Sequence, residues 1–108
     1  MPNTFKNQLN KNVGTSAATI YTTPSATQTT LIGLSVANTT TSPITCDAYI
    51  TSSSVDYYLI KTATVPVGGS LVIVGGDQKV VLEATDALKV VSSAASSADV
   101  VCSLLEIS

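Results

Sequence analysis

The chain of 108 residues contains no histidine, no tryptophan and, because its five basic residues are all lysine, no arginine. Without histidine it lacks the usual general base, the Ser-His and Cys-His nucleophile pairs and the commonest zinc ligand. Without arginine it lacks the planar fork that reads phosphates and base edges bidentately, so no specific nucleic-acid partner is expected. Charged side chains make up 11% of the chain, against about 25% in an ordinary domain. No run approaches the roughly 18 apolar residues of a membrane-spanning helix, so no membrane partner is expected. The opening MPNTFKNQLNKN has no apolar stretch of the kind an export signal needs, which gives the expectation of a cytoplasmic start.

In place of charge there are 30 serines and threonines. A surface rich in hydroxyls and poor in ions is cheap to desolvate, and it suits a protein packed against copies of itself or against partners. The formal charge of −2 is unevenly spread. Residues 1–14 hold Lys6 and Lys11 and no acid, while residues 15–108 hold three lysines and seven acids. An arm of +2 therefore joins a body of −4.

Residues 1–14 carry four asparagines and no sustained period, so they read as an extended N-terminal arm without a core of its own. Its apolar side chains Phe5, Leu9 and Val13 are expected to anchor on something else, such as a neighbouring copy. Residues 15–108 read as one β-sandwich domain. Strands are predicted over 16–23, 31–38, 44–52, 55–63, 71–74, 80–82, 88–90 and 99–107, separated by Pro24, Thr39–Pro43, Ser52–Ser54 and paired glycines. The stretch VPVGGSLVIVGGDQKVVLEATDALKV, residues 65–90, reads as a three-stranded β-meander. Alternation places Ile32, Leu34, Val36, Cys46, Ala48, Ile50, Tyr58, Ile60, Val80, Leu82, Leu88, Val90 and Leu104 in the core. The last strand is apolar on both sides, which places it in mid-sheet or under a partner. The sum is an all-β, antiparallel β-sandwich of seven to eight strands, Ig-like or jelly-roll-like.

Chemistry is sparse. The seven acids are scattered, and Asp77 with Asp86 is the pair that a shared end of the sandwich brings closest to a calcium site. The competing reading makes both of them turn acids bonding their own backbone. The glycines at 68, 69, 75 and 76 precede no helix and no Lys-Ser/Thr pair, so they form no phosphate loop. Cys46 and Cys102 fall on core-facing positions. The missing export signal favours buried free thiols over a bridge between the sheets. Asn38-Thr39-Thr40 matches a glycosylation sequon but reads as a hairpin end. Tyr49 and Tyr57 point outward and are candidate partner anchors. No catalytic residue, cofactor or metal is expected.

Four segments carry a family resemblance: KNVGTSAATIYTTPS at residues 11–25, LIGLSVANTT at 31–40, DYYLIKTATVPVGGSLVIVGGDQKVVLE at 56–83 and SLLEIS at 103–108. They resemble small virion structural proteins of tailed phages, especially marine and cyanobacterial ones. The resemblance implies a non-enzymatic virion protein made in the host cytoplasm. It points first to a capsid decoration or cement subunit binding the major capsid protein and neighbouring copies, as a homo-oligomer and, by analogy with threefold lattice positions, a trimer. A neck or tail accessory and a carbohydrate-binding host-recognition module are the alternatives. The interface residues expected on this reading are Phe5, Lys6, Leu9, Lys11, Val13, Tyr49 and Tyr57.

Overall fold

The structure is a computed structural model that describes residues 3–75 and 78–107. Nine strands run in order: β1 (Asn3–Val13), β2 (Ala18–Thr22), β3 (Gln28–Asn38), β4 (Ile44–Ser52), β5 (Val55–Val65), β6 (Ser70–Val74), β7 (Val80–Leu82), β8 (Ala87–Ser92) and β9 (Ala98–Ile107). One sheet has the order β1-β9-β3-β6, with β7 also paired to β3; the other has the order β2-β8-β4-β5. All pairs are antiparallel.

The pairing is nested. β4 pairs with β5 across the turn at Ser53–Ser54, β3 with β6 and β7, β2 with β8, and β1 with β9. The chain is thus one long hairpin, folded over so that its successive pairs alternate between two sheets, which is the jelly-roll arrangement. Of the two sandwich types expected from the sequence, the strand order selects this one. The ninth strand comes from the stretch read as an arm: β1 lies along β9 from Asn3↔Ile107 to Val13↔Ala98.

The core between the sheets is aliphatic. Leu31, Leu34, Val36, Leu82, Val100, Cys102 and Leu104 come from one sheet, and Ile20, Cys46, Ala48, Val65, Leu88 and Val90 from the other. Most of the expected core is there, with two corrections. Ile32 is only partly buried, because the ladder slips between Leu31 and Gly33 and the inward row resumes at Leu34; one extra residue reverses every later side chain. Tyr58 is 46% exposed and Tyr49, expected outside, is 8% exposed. They pair across β4 and β5 just beyond slips on either side of Ala48, and their rings meet at 4.9 Å.

The meander expected over residues 65–90 is also corrected. The strands lie where the sequence places them, but β6 and β7 pair with β3 in one sheet while β8 lies between β2 and β4 in the other. Alternation specifies a strand and its buried face but not its neighbour, and all three strands feed the same core.

Turns follow local chemistry. Gly68 has φ +68° in the turn closed by Gly69 N–H to Pro66 O at 3.0 Å, a conformation that glycine adopts without penalty. Asn38 is buried; its amide donates to Ser42 O at 2.8 Å and Val65 O at 3.1 Å and accepts from Thr40 N–H at 2.9 Å. Its side chain is fully used within the fold, but Asn38-Thr39-Thr40 is not the expected hairpin end: β3 and β4 lie in different sheets, and the segment opens the crossing between them.

Candidate interaction surface

Five of the seven acids, Asp47, Asp56, Asp86, Asp99 and Glu106, are taken up by hydrogen bonds or ion pairs within the fold. Asp86 accepts from Glu83 N–H at 3.0 Å, the turn role, and its partner in the calcium expectation, Asp77, lies outside the described residues. Asp47 accepts from Thr62 N–H at 2.7 Å, and Asp56 from Thr51 Oγ1 at 2.7 Å. No group of three or more metal-ligating side chains occurs among the described residues. Cys46 and Cys102 are free and buried. Burial raises both thiols, Cys102 to about 11, so neither is a ready nucleophile.

A polar cluster, buried at Tyr21 and Thr29 and open to solvent at Lys6, ties β1, β2, β3 and β9 together. The Tyr21 hydroxyl donates to Glu106 Oε2 and accepts from Thr29 Oγ1 at 2.8 Å, while Lys6 Nζ lies 3.1 Å from Glu106 Oε1. Burial and then the carboxylate push Tyr21 up to about 12. The Tyr21 hydrogen bond, followed by Lys6, holds Glu106 below its ordinary value in spite of desolvation. Neither residue was singled out from the sequence, because 85 positions separate them. The cluster is saturated by its own members and works as a clamp.

The interface residues expected from the sequence divide into groups. Phe5 and Leu9 are 76% and 63% exposed. Lys6 is tied to Glu106, and Lys11 lies 3.5 Å from Asp99. Val13 is core, opposite Ala98. Tyr57 is exposed near the β4–β5 turn, whereas Tyr49 is buried under Tyr58, whose ring carries Lys61 Nζ at 4.4 Å from its centre.

The register shows what Phe5 and Leu9 belong to. Phe5 stands opposite Leu105, which stands opposite Thr30, which stands opposite Val81. Leu9 begins a parallel row through Val101 and Ser35 to Val72. These rows lie on the side of the sheet that faces away from the core. Val101, Val72, Val81 and Ile107 there are exposed alongside Phe5 and Leu9. β1 thus has reversed polarity over most of its length: Phe5 and Leu9 face out and only Val13, at its end, enters the core, while Lys6 lies on the opposite side of the strand and meets Glu106. Sequence reading found the two members in β1, conspicuous among asparagines, but missed the other four because only strand pairing aligns them.

No protein-family model and no curated protein sequence matches the chain. Among solved structures it is similar to a chain described under "Bacillus endospore appendages form a novel family of disulfide-linked pili". The TM-score is 0.56 over 98% of this chain and 88% of that one, at 14% sequence identity. A likeness at that identity concerns the fold, and it extends along the whole nested hairpin, β1 included.

Proposed function

We propose that this protein is a non-enzymatic structural subunit that works by packing against copies of itself and a larger body. A capsid decoration subunit of a phage head is the first assignment. The observation that carries the reading is β1, a strand whose apolar side chains Phe5 and Leu9 face away from the core and which is held along one edge by β9. A strand built for a lone domain would turn those residues inward. The virion assignment rests on the sequence resemblance, and the hydroxyl-rich, ion-poor surface supports burial in a lattice. Many small contacts on a symmetric array then add through effective concentration.

The similar appendage chain belongs to proteins that form disulfide-linked pili. A surface-appendage subunit is accordingly the second reading, with a specific difference: this chain's two cysteines are buried in its core, so its copies would associate without covalent links. The exposed Tyr57 and Tyr58 near the β4–β5 turn are where a host-recognition role would reside. Imaging of particles and of purified protein tests the assignment. A regular outer layer on a head supports decoration, a collar or tail ring moves the role to the neck or tail, and free filaments support the appendage. A protein that neither self-associates nor decorates any particle would sink the structural reading.

A further inference from the structure

We infer that the outward face of the β1-β9-β3-β6 sheet is a two-fold interface with the same face of a second copy. The inference rests on the structural-subunit reading and names its partner surface. Three observations point to a copy of this chain in preference to another occupant. The first is charge: Lys6 and Glu106 pair on the core side of β1 and β9, Lys11 pairs with Asp99 at one corner at 3.5 Å, and Lys79 and Glu83, two residues to either side of Val81, are of opposite sign, so the ionic groups of the face sum to zero. A neutral face meets itself without repulsion and offers nothing to hold an ionic partner.

The second is relief. β3 presents the small residues Thr30, Gly33, Ser35 and Ala37 outward, beside the bulkier Val101, Leu105 and Ile107 of β9. A two-fold axis lying in the face, parallel to the strands and between β9 and β3, sets the small row of one copy against the bulky row of the other. The third is size. β1, β9 and β3 are 11, 10 and 11 residues long, and β6 with β7 fills the fourth position. At about 3.3 Å per residue and about 4.8 Å between strands the face measures roughly 33 by 19 Å. Two copies then cover about 1,200 Å², the lower end of what a stable specific pair buries. An isologous contact of this kind makes dimers or even-numbered assemblies in place of the trimer expected by analogy.

Sedimentation equilibrium and cross-linking test it. The wild-type chain is expected at twice its own mass, with a dissociation constant that does not weaken as salt is raised. Val101→Glu and, at the sheet edge, Val72→Glu should each weaken association at least tenfold, whereas Thr64→Glu on the other sheet should leave it unchanged. Because a glutamate can disturb folding, Ser103→Cys near the proposed axis gives the second test. A short bis-maleimide should join two Ser103→Cys chains, while the wild type, with its buried thiols, stays unlinked. A wild-type chain that remains monomeric at its highest soluble concentration overturns the interface. So does an oligomer that Val101→Glu leaves intact and Ser103→Cys does not cross-link, an outcome under which the structural-subunit reading would stand with a different contact.

Discussion

At the scale of single residues the fold is an aliphatic interior with a few polar atoms that must be satisfied. Leu34 is 1% exposed, and Leu34→Ala should lower the unfolding free energy by about 2–5 kcal/mol, read from the urea midpoint at constant slope. Thr23 is a contrasting case: it is 1% exposed, and its Oγ1 has no partner among the described residues. Thr23→Val keeps the shape and removes the orphan hydroxyl, so it should stabilise by about 1 kcal/mol; a loss of similar size would show that the hydroxyl is satisfied after all. The Tyr21–Glu106–Lys6 clamp sets the pH limits. Glu106 is held below its ordinary value in the fold, so its contribution is present above the unfolded value of about 4.3 and is lost as pH falls through the lowered one. Tyr21 and Cys102 are raised to about 12 and about 11. Their contributions hold below the ordinary values near 10 and 9 and disappear as pH rises through the raised ones. Thermal unfolding from pH 2 to 12 should show a plateau between about pH 5 and 9, with Glu106→Gln flattening the acid limb.

At the scale of elements, what the sequence revealed and what it withheld have a common cause. β4 over 44–52 and β7 over 80–82 run where hydrophobic patterning and turn residues place them, because both are local properties. Ile32 and Tyr58 were misassigned to the core because a bulge shifts parity, and nothing in the one-letter pattern marks the extra residue. The meander was misread because partner choice depends on tertiary nesting. The interaction face was half legible for the same reason: Phe5 and Leu9 stand out within β1, whereas Val72, Val81 and Val101 become one surface only after β6, β7 and β9 are aligned on β3. The β4–β5 turn, the pivot of the nested hairpin, is local chemistry again. Ser53 and Ser54 have φ +51° and +65° in a two-residue loop, positions that favour Asn-Gly. Ser53→Asn with Ser54→Gly should therefore stabilise by about 1 kcal/mol, roughly 4–8 °C in melting temperature. No change, or a decrease, would mean that the serines satisfy the turn in another way.

At the scale of the whole molecule, the nested pairing leaves β1 at the open edge of its sheet, bound along one side by β9, which is itself paired on its other side with β3. β1 is held by its ladder to β9, by Lys6 on Glu106, by Lys11 on Asp99 and by Val13 at the core margin. Beyond Val13 the chain passes through Gly14, which lies so close to the backbone of Ala95 and Ser96 that a side chain there would crowd them. Removing residues 1–14 should leave the three inner strand pairs folded, while exposing β9 as an edge ten residues long, an invitation to pair with whatever strand is offered. A synthetic peptide of residues 3–13 added to the truncated chain should occupy that edge. At about 100 times its dissociation constant it should recover about 2.7 kcal/mol, a rise of roughly 10–20 °C in melting temperature. Part of that binding is ionic and exposed, so affinity should fall between low salt and about 0.15 M, where the Debye length is about 8 Å. If the peptide binds, β9 accepts β1 from outside its own chain, and the strand that closes one copy is able to lock a neighbour. If the truncated chain melts at the wild-type temperature and ignores the peptide, β1 contributes nothing to closure, and its reversed polarity has to be explained by the sheet face alone.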